Sequence, residues 1–310
     1  MLISTKTSIY TVPPNGSSHP EQIISDLDIR RIQQGETRNI IALSDGSIII
    51  NKEKENTVIQ SGINDRIDSL LVIEEDPLKL LIGCTPPNLY KLVEGEDLAQ
   101  LIPSFQNLAV RDQWYTPWGG PAAVRSMDKT NDGWVYADIH VCSIMRSPDQ
   151  GESWEPVEPA LHKDVHMVVT SPSNPERVYA NTYLSVYVSD DRGETWSHRS
   201  GALRERYGRG VAVHPCEPDV LLCGVSDGPS GGNVHGQLFW TEDAGDNWGH
   251  VVDGFPESTR KNIDTFHIQF TGDHAWVSDE NNLYFSRDKG RTFELFWNAP
   301  EEITAISSGP

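Results

Sequence analysis

Residues 161–167, LHKDVHM, hold a dense set of chemically capable side chains. His162, Asp164 and His166 alternate, and on an extended strand such residues point the same way. Two imidazoles and a carboxylate on one face suit a divalent metal, because neutral imidazole nitrogen and carboxylate oxygen are ligands that borderline cations take. His140 and Asp227 are further donors for such a set, with His140, Asp164 and His166 as its centre. The same groups fit proton transfer, with Asp164 or Asp264 as base and His166 or His140 as acid. Asp164, Asp227 and Asp264 also supply paired carboxylates, which a glycosidase needs roughly 5–10 Å apart across the bond it cleaves. A second group is cationic or polar: Arg38, Arg66, Arg125 and Arg209, with Tyr207 and Asn262. Guanidinium forks match carboxylate and phosphate geometry, so Arg125, Arg209 and Tyr207, with Asp227 and Asn262 beside them, point to a small polar or anionic ligand, a saccharide among them.

The sequence around these residues is strand and turn. In 165–196, VHMVVTSP reads as a strand, SNPE as a turn, RVYANT and VYVSDD as two more strands, and a fourth strand begins at Trp196. The same outline fits 122–157, 211–252 and 263–297, and 39–60 and 67–102 repeat it with weaker turns. Four units carry an octet at the same place: SPDQGESW, SDDRGETW, TEDAGDNW and SRDKGRTF, at 147–154, 189–196, 241–248 and 286–293. Its physics is local. Asp149, Asp191, Asp243 and Asp288 can accept backbone N–H groups as Asx-turns do. The glycine two residues later supplies the positive φ a tight hairpin needs. The closing aromatic packs between neighbouring sheets. Asn247 breaks the second Ser/Thr position, and Phe293 replaces Trp.

The octet resembles the Asp-box, or BNR repeat, of sialidases, the sortilin luminal domain, xyloglucan-degrading glycosidases and the photosystem II assembly factor family. That resemblance implies an all-β fold, a β-propeller of four-stranded antiparallel blades, and a structural role for the four octet aspartates. It says little about activity. The Arg-Ile-Pro signature of sialidases is missing near the N-terminus, and no Tyr–Glu pair is evident, so the likeness covers the repeats and not the catalytic residues.

Counting units gives seven blades in one domain, 1–310. EEITAIS at the C-terminus reads as an inner strand with nothing after it, and LISTKT and SIYTVPP as second and third strands with nothing before them. Pairing them closes the ring without an exposed edge. The expected blades are 1–32 with 301–308, 36–61, 66–103, 121–157, 164–201, 209–253 and 263–297. Residues 103–120, rich in Trp and Tyr, form an insertion that packs, covers or binds something. Propellers take ligands at the channel mouth, which is lined by segments leading into inner strands and by hairpins between second and third strands. Arg38, Arg66, Arg125, Asp164, His166, Tyr207, Arg209, Asn262 and Asp264 are expected in the first set. Asp138, His140, Asn181 and Asp227 are expected in the second, with His235 in the hairpin GPSGGNVHG.

The formal net charge of −20, with 45 acidic and 25 basic residues among 310, disfavours nucleic acid as a partner. No apolar run approaches the length of a membrane span, no secretory signal is visible, and cytoplasmic location is the expectation. The four cysteines lack zinc-type spacing, and free buried thiols are expected. Nucleotide-binding glycine motifs are missing. Three functions follow: a pocket for a small polar or anionic ligand with a divalent metal at its mouth, a sialidase-like glycoside hydrolase, or a non-catalytic scaffold holding a protein partner.

Overall fold

The computed structural model describes residues 1–310 except 53–54, 97, 158–159, 204–205, 230–231 and 310. Its strands form seven four-stranded antiparallel sheets in a ring, a seven-bladed β-propeller. The blade carrying LHKDVHM shows the pattern, with Val165–Ser171 innermost, then Asn174–Thr182, Ser185–Ser189 and Ser197–His198. The innermost strand is buried at every position and the outermost is exposed. A strand covered on both faces by neighbouring blades needs apolar or β-branched residues throughout, which is why VHMVVTS does not alternate as a half-exposed strand would.

Ile303–Ser307 pairs antiparallel with Leu2–Thr5, in the register Leu2↔Ser307 and Ile3↔Ile306, and Ile9–Thr11 and Glu21–Ile24 complete that sheet. The two ends of the chain therefore share the first blade. The second blade corrects the sequence expectation. Ile29–Gln34 pairs with Asn39–Leu43 and is its innermost strand, so residues 29–32 do not belong to the split blade. This strand reads IRRIQQ and buries only Ile29 and Ile32, a pattern that resembles an outer strand. Arg38 consequently lies in a hairpin at the end opposite the mouth, where its Nη1 donates to Glu94 at 2.8 Å.

The octets staple the opposite face. Asp149 Oδ1 accepts from the Ser147 hydroxyl and the Ser153 N–H, both at 2.8 Å, and Oδ2 accepts from the Ser153 hydroxyl at 2.7 Å. Asp191, Asp243 and Asp288 repeat the arrangement. Asn247 preserves it, because its Nδ2 donates to Asp243 Oδ2 at 2.8 Å in place of a hydroxyl. Gly151, Gly193, Gly245 and Gly290 hold φ between +87° and +93°. The octet aromatics Trp154, Trp196, Trp248 and Phe293 pack into the apolar layers between blades.

The insertion divides. Its helix Pro103–Gln106 and 3-10 turn Ala109–Gln113 bury Phe105 and place Trp114 against it, 5.4 Å between ring centres. Tyr115 and Trp118 beyond them are each 68% exposed. All four cysteines are free; Cys84 and Cys223 are buried, Cys142 is half-buried, and Cys216 is exposed, against the expectation for that residue.

Candidate functional site

Each inner strand runs from the mouth toward the octet face, so the residues at its start surround the channel opening. The segment leading into the last inner strand, Ile268–Thr271, does more than line it. Residues 263–267 cross the channel and close it. The Ile263 carbonyl accepts from Gly210 N–H at 3.1 Å, and the Phe266 carbonyl accepts from Ile306 N–H at 2.9 Å. The Thr265 hydroxyl donates to the His166 carbonyl at 3.0 Å and accepts from Arg125 Nε at 3.0 Å. Phe266 takes a φ of 68°, packs with apolar residues of two clusters, and lies under the Arg31 guanidinium, 5.7 Å from its ring centre.

Asp264 is the electrostatic centre of this plug. Its Oδ1 lies 2.6 Å from Arg125 Nη2 and 3.3 Å from Arg209 Nη1, donors from two other blades. Burial pushes its carboxyl up, but Arg125, Arg209 and His267 outweigh that and hold it well below the usual carboxylate range. Arg209 also stacks over Tyr207, 5.1 Å from the ring centre, and donates to the Pro229 carbonyl at 3.0 Å. Its Nε is buried with no partner among the described residues. Burial and the neighbouring Arg125 lower its basicity.

A second arginine group, two of its three members missed by the sequence reading, occupies the adjoining arc. Arg30 and Arg66 contact Asp68 Oδ1 at 2.6 and 3.1 Å, and Arg31 Nε donates to the Asp68 carbonyl at 2.5 Å. Burial, with Arg30 beside it, brings Arg31 down to about 10. Arg30 and Arg31 were hidden by the misplaced blade boundary; the isoleucine spacing of IRRIQQ ahead of the turn at Gly35 is the signal that locates them. A cavity of about 670 Å³ opens here, lined by Lys6, Arg30, Arg31, Asp28, Glu301 and Glu302 among others.

Beside the plug lies the histidine group. His140, Asp164 and His166 bring one ligand atom each within 4.8 Å of one another. His166 is fully buried; its Nδ1 meets the Gly208 carbonyl at 2.6 Å, and its Nε2 meets the Tyr207 hydroxyl at 3.0 Å and Asp164 Oδ1 at 3.1 Å. Burial, together with Arg125, pushes His140 down to about 3, and burial also lowers His166. Both shifts disfavour the doubly protonated imidazolium form of these rings. Burial raises Asp164, yet the imidazoles of His166, His140 and His162 more than offset it, and the carboxyl stays ionised. Asp138, at the end of the second strand next door, is fully buried, and burial raises it to about 7.

Other expected residues stand apart. Val165 begins the strand, so His162 is off the shared face; its Nδ1 accepts the Asp164 N–H at 3.2 Å, and its ring stacks on Tyr183. Asp227 is exposed on the rim, paired with His235 at 2.9 Å and Arg206 at 3.6 Å, and does not join the histidine group. A whole blade separates its hairpin from that of His140. Asn262 ties the Gly228–Pro229 loop, donating to both carbonyls. Residues 230–231 of the GPSGGNVHG hairpin lie outside the described residues. Aromatic rings flank the group: Trp118 lies 5.8 Å from His140, and Tyr183 meets Tyr207 edge-on at 5.7 Å.

Comparisons with known proteins agree with this architecture. The family model described as "Sortilin, neurotensin receptor 3" matches residues 142–255, the stretch holding three of the four octets. No curated protein matches significantly. The Niastella koreensis GH74 enzyme superposes with a TM-score of 0.68 at 14% identity, over 96% of this chain and 53% of that one. An ancestral GH74 enzyme gives 0.65 at 15% identity, over 95% and 40%. The chain thus spans about half or less of these enzymes' length. YCF48 bound to D1 peptide gives 0.59 at 14% identity, over 95% of this chain and 84% of that one. At such identities the likeness carries the fold and leaves function to the site itself.

Proposed function

We propose that this chain, a seven-bladed Asp-box propeller, binds a small anionic ligand at its plugged channel mouth, with an acid-bearing sugar as the best-fitting class. One observation carries the reading. Five guanidiniums, those of Arg30, Arg31, Arg66, Arg125 and Arg209, crowd around two carboxylates, Asp68 and Asp264, in a chain whose net charge is −20. Crowded cations, four of them half-buried and Arg66 exposed, are relieved by an anion, and guanidinium forks bind carboxylate or phosphate bidentately. The carboxylates Asp28, Glu301 and Glu302 on the cavity wall can accept from sugar hydroxyls, and on the Arg125 and Arg209 side, away from that cavity, exposed Trp118 and Tyr183 beside the histidine group offer flat faces for a sugar ring.

Glycoside hydrolysis is less well supported. Asp164 and Asp264 are both held ionised, and the neighbouring carboxyl that burial raises, Asp138, is fully buried, whereas a hydrolase needs a protonated carboxyl within reach of the bond beside its base. A protein partner remains compatible with the same arginines if it presents a carboxylate-bearing segment; the exposed Tyr115 and Trp118 favour that variant.

Calorimetric titration with glucuronate, sialic acid, phosphate and neutral glucose tests the reading on metal-free protein. Anionic ligands are expected to bind and glucose to fail. Arg125→Ala and Arg209→Ala should each weaken binding about 10–100-fold, the worth of a charged hydrogen bond. Equal affinity for glucose and glucuronate, or arginine variants that bind as the parent does, would discard it.

A further inference from the structure

We propose that His140, Asp164 and His166 form a binding site for a divalent transition-metal ion of the zinc class, open to the channel mouth. The argument is geometric. The Gly208 carbonyl can only accept, so at 2.6 Å the Nδ1 of His166 carries the ring proton. In the neutral ring the lone pair therefore sits on Nε2. That lone pair faces Asp164 Oδ1 at 3.1 Å, and Oδ1 is itself buried without a hydrogen-bond partner among the described residues. In this tautomer the Tyr207 hydroxyl, 3.0 Å away, can donate to the Nε2 lone pair, but no described residue donates to Oδ1, so two acceptor atoms still stand 3.1 Å apart. A cation between them resolves the conflict, and the spacing fits: ligands about 2.1 Å from a tetrahedral zinc ion stand about 3.4 Å apart.

The third donor is in reach. His140 comes from the hairpin of the neighbouring blade, and its nearest ring nitrogen lies within 4.8 Å of the other two ligand atoms, so a small rotation completes the set. The support around the site also fits a metal ligand. A coordinating histidine ordinarily donates its second ring nitrogen to a carbonyl or carboxylate, which fixes its tautomer, and Gly208 does this for His166. Three protein ligands leave a coordination position for water or an anion. Asp164 is partly exposed, its side chain 23% accessible, so that position opens to solvent. The Tyr207 hydroxyl, 3.0 Å from Nε2, is placed to turn toward whatever occupies it.

A second cluster sharpens the contrast. His214, Glu217 and Asp273 also converge, on the octet side of the ring. There the His214 Nδ1 accepts the N–H groups of Cys216 and Glu217, so Nε2 carries the proton and donates to Asp273 at 3.1 Å. Lys289 already neutralises Glu217. No imidazole lone pair is free, and that cluster is a hydrogen-bonded brace.

The test uses the full chain, stripped with EDTA and titrated with Co²⁺ and Zn²⁺ in buffer free of coordinating anions. One equivalent of Co²⁺ should bind with the visible d–d bands of a low-coordinate site, and Zn²⁺ should displace it. His140→Ala and Asp164→Asn should each weaken binding beyond the ~10–100-fold that loss of a supporting contact costs, whereas Tyr207→Phe should retain it. His214→Ala should leave the bands unchanged. Binding that is not saturable, or that survives both His140→Ala and Asp164→Asn, overturns the site. So does NMR titration of the metal-free protein showing His166 as an imidazolium at neutral pH, since a shared proton would then fill the gap. The proposal is independent of anion binding: Arg125→Ala and Arg209→Ala should keep the metal, and the metal-free protein should keep the arginine-dependent affinity.

Discussion

Arg125, on the inner strand of the fourth blade, bonds the Asp264 carboxylate of the seventh at 2.6 Å, and Arg209 of the sixth reaches the same oxygen at 3.3 Å. This bridge ties three blades through the middle of the ring. Asp264→Ala should cost about 1–2 kcal/mol in urea unfolding, discounted from the worth of a fully buried pair because its side chain is 40% accessible. Since folding depresses the Asp264 carboxyl, its contribution is present above the unfolded value near 4 and is lost as pH falls below it. Wild type and variant should therefore converge in melting temperature in acid.

Asp138 has the opposite sign. It is fully buried, its Oδ2 accepts the Ser126 hydroxyl at 2.6 Å while its Oδ1 has no hydrogen-bond partner among the described residues, and burial raises it to about 7. A carboxyl raised by folding stabilises fully below its unfolded value near 4, and that stabilisation drains away as pH climbs toward 7. Asp138→Asn keeps the acceptor and removes the titration. It should exceed wild type by on the order of 1–3 kcal/mol at pH 8, with the gap closing at pH 4. An Asn variant that is less stable at both values would count against this.

On the opposite face, Asp191 holds a hairpin through Ser189, the Thr195 N–H and the Thr195 hydroxyl. Asp191→Ala should lower stability by about 2 kcal/mol in denaturant titration. Anion affinity should be unaltered, because the octets and the mouth lie at opposite ends of the blades. A loss of affinity at preserved stability would refute that separation.

Trp118, 68% exposed, separates binding from folding in the reverse sense. Trp118→Ala should leave the melting temperature nearly unchanged, as exposed substitutions do. It should weaken an acidic sugar about fivefold or more while sparing phosphate, which has no ring face to stack. Parallel calorimetry with the two ligands reads the difference.

The fold was legible because its determinants are local. Four octets with the same Ser/Thr, Asp, Gly and aromatic spacing mark hairpins that form from their own residues, and Asn247 shows that the contact, not the residue type, is what recurs. Where octets have decayed the reading slipped: residues 29–34 bury only two side chains, so the strand passed for an outer one and concealed Arg30 and Arg31. The mouth was half legible. The start of an inner strand places Arg125, Asp164, Tyr207 and Arg209 at the opening, but alternation wrongly extended the strand to His162. The crossing of residues 263–267 could not be read at all. It depends on contacts from Thr265 to His166 and Arg125, far away in sequence, and on a left-handed Phe266 that no local pattern demands.

Because Thr265 and Phe266 stopper the hole, the ring is a cup rather than a pipe. Whatever settles among the arginines must arrive and depart by one doorway, so the rim around Trp118, Tyr183 and the Gly228–Pro229 loop governs both arrival and residence time.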